Sequence, residues 1–455
     1  MTGECVRLVR DELIAALLSI SLKALQDIPH PEFARFDAEF DAEGVSDDET
    51  FEDDINAPYL WWFHRRDEIE AASQTLPEPL YEHFTAFRNY IYDSMTMEWS
   101  QVEVLLEGGR ITREYLHYLF VPNSILVSNP KGAGTHELSG VCAKDWLIKS
   151  SQEEFPPSIS VTRWGFDGHF RKITETQQLS KLPGEEADDP IQIRDLPIYP
   201  AKYADEEVKD SLRQRGNTFW KCRRRRYVYS RRFPEGDIGR LADSRFMVDF
   251  GMYSQMHRVM RGAANEHHGD ILPDDEERLP EEGDAFFMCL PNKVYGFNMQ
   301  KKEWLKLDIE FLEDVKWNEE AFNQLVINES TKELVEAVVT HQLQEEGNTD
   351  LIQGKGNGLF ILLHGGPGTG KTLTAESVAE VAKKPLYRVT CGDIGTRAQD
   401  VEEYLEKVML LGKTWGCVVL LDEADVFLEQ RSLQNLERNA LVSVFLRVLE
   451  YYDGP

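Results

Sequence analysis

Eight consecutive residues, Gly365, Gly366, Pro367, Gly368, Thr369, Gly370, Lys371 and Thr372, carry the spacing G-x-x-x-x-G-K-T. Glycines let a backbone wrap an anion with its N–H groups pointing inward, and a lysine at that position adds charge to the β and γ phosphates of a nucleotide. Thr372 offers a hydroxyl to magnesium, and Leu373 completes the set expected to touch the nucleotide. Further along, Asp422 and Glu423 end an apolar run, Val418 to Leu421. Asp422 there is expected to hold magnesium through its water shell, and Glu423 to orient and polarise the water that attacks the γ phosphate. Lys371 and Glu423 are thus the candidate catalytic pair, with ATP and Mg2+ as the expected ligands. A glycine-rich turn in an unrelated sheet, or two acids capping a helix, would each explain one motif but not their pairing.

Those residues need elements to hold them. Leu359 to Leu363 is a continuous apolar run that reads as a strand buried on both faces, leading directly into the glycines. Leu373 to Lys384 reads as a helix whose positive end faces the phosphates. Pro385 breaks it, Leu386 to Thr390 reads as a second strand, Val401 to Leu411 as a second helix, and Val418 to Leu421 as another buried strand. Strand alternating with helix implies parallel pairing with helices on both faces, and the carboxyl edge of such a sheet is where ligands bind. The expected fold class is α/β, with a partial P-loop NTPase core at 351–455 preceded by an α+β, partly β-rich N-terminal region.

With Gly-Gly-Pro-Gly-Thr-Gly-Lys-Thr at 365–372 and Leu-Leu-Asp-Glu-Ala-Asp at 420–425, the segment resembles the AAA ATPases. Asp422 to Ser432 and the helix Leu433 to Tyr452 are similar more narrowly to large AAA proteins of filamentous fungi, whose N-terminal region is mostly uncharacterised. Trp164 to Phe170 and Ile193 to Pro200 resemble that N-terminal region. The resemblance implies a nucleotide held between subunits of a homo-oligomeric ring, with hydrolysis remodelling a macromolecular partner engaged through the N-terminal region. It also implies adenine contacts near Asp350, Leu351 and Ile352. The family's sensor strand, arginine finger and helical lid have no counterpart before Pro455, so the C-terminal part of the AAA module is expected to be missing and ATP binding is better supported than turnover. Cys391, Gly392, Asp393, Ile394 and Gly395 lack the aromatic of a threading pore loop. A nucleotide-gated interaction protein with little turnover is the alternative. An RNA helicase is a lesser one, since Asp422 to Asp425 spell D-E-A-D without the downstream motor domain of that class.

Upstream, Leu8, Leu13, Leu17, Leu18 and Leu25 recur at helical spacing, giving an amphipathic helix within 1–30. Glu4, Asp11, Glu12 and Lys23 argue against a secretory signal there. Residues 31–56 read as an acidic flexible linker, with an acidic docking segment as the other reading. Residues 57–112 read as helical, their aromatics Tyr59, Trp61, Trp62 and Phe63 as core. A β-rich domain is expected over 113–310, interrupted by a polar surface loop from His267 to Glu282, and a helical lead-in over 311–350. Lys221, Arg223 to Arg226, Arg231 and Arg232 form the densest basic cluster, with Tyr227 and Tyr229 interleaved. The chain as a whole has 50 basic against 80 acidic side chains and a net charge of −30. Such a balance disfavours coating of nucleic acid or anionic membrane. Six scattered cysteines without metal-ligand spacing fit reduced thiols in an intracellular, cytoplasmic or nuclear protein. No apolar stretch approaches the ~20 residues of a spanning helix.

Overall fold

The computed structural model describes residues 5–6, 11–33, 55–129, 138–148, 156–180, 182–183, 189–232, 245–257, 283–344, 359–390, 398–427 and 436–450. The chain divides into two compact units, the first formed by Met1–Phe219 with Ala264–Asn292, the second by Trp220–Ala263 with Lys293–Pro455.

In the first unit, α1 (Asp11–Ala24) buries Ile14, Leu17 and Ile20, the face its leucine-rich spacing announces. The aromatic run forms α2 (Leu60–His64), followed by α3 (Arg66–Ser73) and the 30-residue α4 (Glu78–Glu107). Pro79 sits in the first turn of α4, where its missing N–H leaves no intrahelical bond unmade. Phe84, Phe87, Ile91, Met95, Trp99 and Val102 recur at intervals of three to four and are all buried on one side of α4. Trp62 stacks on Phe84 with ring centroids 5.6 Å apart and meets Phe87 edge-on. Each fully buried large aromatic side chain contributes about 2–3 kcal/mol of transfer free energy, so the aromatic run serves as core.

A second core lies under a five-stranded antiparallel sheet built from β1 (Ile125–Ser128), β2 (Ser139–Ala143), β3 (Ser158–Phe166), β4 (Phe170–Gln178) and β5 (Ile198–Pro200), in spatial order β4-β3-β2-β1-β5. Trp164 to Gly168 passes from strand into turn, as its sequence suggests, with Gly168 at φ 108°. The stretch expected to be β-rich begins instead with a 3-10 turn at Leu116–Tyr118, because Tyr118 belongs to the aromatic core and donates its hydroxyl to Glu98 at 2.7 Å. The segment Asp284–Met288 forms a short helix, α5. Its Phe286 meets Trp164 and Phe170 edge-on at 5.3 and 5.5 Å. Gly140 and Gly216 admit its backbone so closely that a Cβ would lie 2.2 Å from the Met288 carbonyl oxygen and 2.0 Å from that of Phe287.

The second unit contains another five-stranded antiparallel sheet: β6 (Arg226–Ser230), β7 (Arg245–Val248), β8 (Lys293–Asn298), β9 (Glu303–Asp308) and β10 (Leu312–Asp314), in order β9-β8-β7-β6-β10. The stretch expected as one β-rich domain, 113–310, therefore holds two sheets, one in each unit. The continuous helix expected from Phe311 is replaced by β10 and a run of turns before α6 (Glu329–Gln344). Phe322 and Leu325 from the turns close on Val335 of α6, so their helix-like spacing reflects a small local core.

Next come α7 (Lys371–Ala382), β11 (Leu386–Val389), α8 (Ala398–Trp415), β12 (Val418–Leu421) and α9 (Leu436–Glu450). β11 and β12 pair in parallel, Leu386 opposite Val418 through Val389 opposite Leu421. One core joins Tyr387 and Val389 of β11, Val401, Leu405 and Trp415 of α8, and Phe445 of α9 to Met247 and Phe297 of the antiparallel sheet. The Trp415 indole donates to Asp249 Oδ2 at 2.9 Å, and Arg245 bridges to Glu380 of α7 at 2.5 Å.

The strand expected at Leu359 to Leu363 does not form. Residues 359–366 have no strand assignment, the described parallel sheet consists of β11 and β12 alone, and Phe360, Ile361 and Leu362 are exposed. An apolar run states which surroundings would suit a strand, but the ladder bonds must come from neighbours, and none of the described residues supplies them. For the same reason β12 is half-buried along its length. The parallel pair has one face in the shared core, and both α7 and α8 pack on β12. The acidic run at 37–54, the His267 to Glu282 loop, Asp350 to Ile352 and Cys391 to Gly395 lie outside the described residues.

Candidate nucleotide site

The glycine loop runs from Gly365 into the start of α7, with Gly368 at φ 76° and Gly370 at φ 82°. Side chains make this left-handed backbone costly, and a Cβ on either residue would meet no atom within 4 Å, so the requirement for glycine is conformational. Gly370 is the residue before α7, and no side chain caps that helix. The first N–H groups of a helix lack intrahelical acceptors, and the first turn of α7 carries no acidic residue to compete for them. An anion is the natural complement to such an end.

Lys371 curls back over the loop. Its ammonium donates to the carbonyl oxygens of Gly365 at 2.9 Å and Gly366 at 2.7 Å, and reaches Thr369 Oγ1 at 3.5 Å. Thr369 in turn donates to the Gly366 carbonyl at 2.9 Å, while Thr374 donates both its N–H and its hydroxyl to the Gly370 carbonyl. The positive charge is thereby held against the mouth of the loop. Pro367 forms part of the turn, Thr372 is half-buried in the first turn of α7, and Leu373 is exposed beside it.

Asp422 and Glu423 follow β12 directly. The Asp422 N–H donates to the Val389 carbonyl at 2.8 Å, extending the parallel ladder by one bond and fixing Asp422 at the carboxyl end of the pair. Asp422 Oδ1 accepts the Glu423 N–H at 3.1 Å, and Glu423 has a left-handed backbone at φ 60°. Asp422 Oδ2 accepts from Arg388 Nη2 at 2.7 Å. Nothing in the sequence motif points to Arg388; its role follows from the register. Arg388 stands opposite Leu420, and in a parallel pair neighbouring residues share a face, so Asp422, two residues beyond Leu420, stands on the face of Arg388. α7 and α8 both pack on β12, so the loop at the head of α7 and the acids after β12 hang from one framework.

The donors fit a magnesium nucleotide. The loop and uncapped helix end supply N–H groups, Lys371 supplies charge, and Thr372 and Asp422 supply the hydroxyl and carboxylate oxygens that a hard cation prefers. Among the described residues no group of three or more His, Cys, Asp and Glu forms a separate metal cage. Magnesium commonly takes only one or two protein carboxylates when phosphates complete its shell.

The basic cluster has partners within its own unit. Arg226 pairs with Asp314 at 2.5 Å, Arg231 with Glu313 at 3.0 Å, and Arg223 stacks 3.8 Å above the Trp220 ring. In the first unit, a cavity of about 1220 Å³ is lined by Ser128, Arg163, Trp164, Glu175 and Gln177 among others, and by no residue of the glycine loop. Arg163, Glu175, Gln177 and Ser128 are hydrogen-bonded to one another in sequence. No described helix is long and apolar enough to cross a membrane.

A mixed α/β unit with a glycine loop at a helix start and acids at the end of a parallel strand has the character of a P-loop nucleotide-binding module. Residues 361–454 match the family described as ATPase family associated with various cellular activities (AAA), and this part of the chain is similar to the AAA-type ATPases. Residues 101–205 match a domain of unknown function (DUF7025). Among curated proteins, the chain is 35% identical over 102 residues to the ATPase family AAA domain-containing protein 3 of Caenorhabditis elegans, covering 20% of this chain and 16% of that one. It is 35% identical over 99 residues to a 26S proteasome regulatory subunit homolog of Methanothermobacter thermautotrophicus, covering 21% and 26%. It is 29% identical over 100 residues to the cell division control protein 48 homolog C of Arabidopsis thaliana, covering 21% and 12%. The matched portion thus spans about a quarter or less of each of these relatives. The narrower fungal likeness has no support in them. No solved structure matches the chain.

Proposed function

We propose that the second unit binds ATP with magnesium and that the whole protein couples its hydrolysis to remodelling of a macromolecular partner. In this reading Gly365 to Leu373 hold the phosphates, Lys371 neutralises the β and γ groups, and Thr372 and Asp422 hold the magnesium. Bound magnesium supplies charge neutralisation across the phosphates. Glu423 polarises the attacking water and accepts its proton. The observation that most supports this reading is the Lys371 ammonium held over the loop by the Gly365 and Gly366 carbonyls at the uncapped start of α7. Assembly into a homo-oligomeric ring, a protein partner for the N-terminal region and an intracellular location extend the proposal by analogy with the family.

Lys371→Ala is expected to weaken binding of a fluorescent ATP analogue in magnesium buffer by at least about 100-fold, the scale of losing a desolvated charge contact of nearly 3 kcal/mol. An affinity within twofold of the parent's refutes the phosphate assignment. Turnover is tested separately by phosphate release. Glu423→Gln should lower the rate by about 100-fold or more while leaving binding intact, whereas equal rates in parent and variant favour a nucleotide-gated interaction protein.

A further inference from the structure

The charged groups of the site are bonded within the chain. Lys371 is held by loop carbonyls, and Asp422 is held on one oxygen by the Glu423 amide and on the other by Arg388. Arg388 is well placed for this and poorly placed for a core role. Along β11, Tyr387 and Val389 are buried in the shared core, and Arg388 between them points to the opposite, exposed face. Its side chain is 48% exposed and that of Asp422 is 24% exposed, so the arginine can leave for water while the carboxylate stays.

We infer that Arg388 is a positioning residue that partly neutralises the metal-holding carboxylate, and so raises the magnesium concentration at which the nucleotide binds. The inference rests on the reading of Asp422 as a magnesium holder. A guanidinium donating at 2.7 Å already offsets much of the Asp422 carboxylate charge, so a cation held there through its water shell is opposed by a neighbouring positive charge. The competing contact lowers apparent cation affinity by the strength of the ion pair. For a pair this exposed, that strength corresponds to a shift of about two- to fivefold in concentration. The pair also restrains the carboxylate rotamer through a second strand.

The test titrates magnesium into the full-length chain at fixed fluorescent ATP analogue and reads the midpoint of the binding signal. Arg388→Gln, which keeps length and polarity but not charge, is expected to lower that midpoint about two- to fivefold, with affinity for the analogue in EDTA unchanged. Arg388→Lys keeps the charge and is expected to stay within about twofold of the parent, and it serves as the second variant should the glutamine form fold poorly. A midpoint unchanged or raised in Arg388→Gln overturns the inference, a raised one showing that the arginine serves the nucleotide directly. A lysine variant shifted as far as the glutamine one also overturns it. Parent protein that binds the analogue equally with and without magnesium removes the underlying reading of Asp422, an outcome visible before any variant is made.

Discussion

Single side chains in this protein act through what surrounds them. Asp422 would be an ordinary exposed acid were it not tied to Val389, Glu423 and Arg388 at the end of a parallel pair. His64 shows the same dependence in the first unit. Burial between Phe63 and Trp146 lowers its pKa to about 3, with the nearby Lys202 charge adding to the effect. The folded value lies below the unfolded one, so above pH 6.5 the histidine is neutral in both states and contributes no pH dependence. Below that pH the unfolded chain takes up a proton that the folded one refuses, and stability falls by about 1.4 kcal/mol per pH unit down to pH 3. His64→Phe should therefore shrink the difference in urea stability between pH 7 and pH 5 by about 2 kcal/mol. An unchanged difference would show that His64 protonates normally in the folded protein. Burial likewise pushes the Cys417 thiol up to about 12, consistent with an inert core thiol.

Among the elements, α7 does two jobs. Its first residue faces the glycine loop, and Glu380 near its other end accepts from Arg245 of β7 at 2.5 Å and from the Asn318 N–H at 2.8 Å. The helix that begins at Lys371 is thus fastened to the antiparallel sheet, and β11 is packed against that sheet through Tyr387 and Phe297, whose rings stack at 6.2 Å. Glu380→Ala removes both bonds and leaves the Arg245 charge only partly exposed, so a loss of about 2 kcal/mol in urea denaturation is expected. A loss under about 0.5 kcal/mol would mean that the shared apolar core alone carries the attachment. The helices and the two parallel strands of this region were legible from apolar spacing, Pro385 and the glycines. The partnership with a sheet formed by 226–314 was not, because alternation in a strand shows which face is buried without naming what buries it.

At the scale of the whole molecule, the chain passes between its two units three times, at Phe219, Ala263 and Asn292. Asp284–Met288 returns to the first unit because Gly140 and Gly216 leave room for its backbone and Phe286 fills a gap beside Trp164 and Phe170. A reading in consecutive blocks places a single β-rich domain over residues that two cores divide. The basic cluster changes meaning at this scale too. Against a net charge of −30, its arginines at 226 and 231 pair with Asp314 and Glu313 of β10, contacts between segments far apart in sequence.

The amino-acid sequence by itself determined that the glycine loop and the lysine stand at a helix start and the acid pair at a strand end, because turn, helix and strand signals are set by short, fixed spacings. It also determined most helices and strands, because local periodicity follows from backbone geometry. Tertiary structure alone decided that Arg388 meets Asp422, that Glu380 ties α7 to a sheet formed far upstream, and that the apolar run before the loop lacks a ladder. Those outcomes depend on the register and pairing of segments distant along the chain, and contacts of that kind are set by packing among surfaces that no single stretch of residues contains.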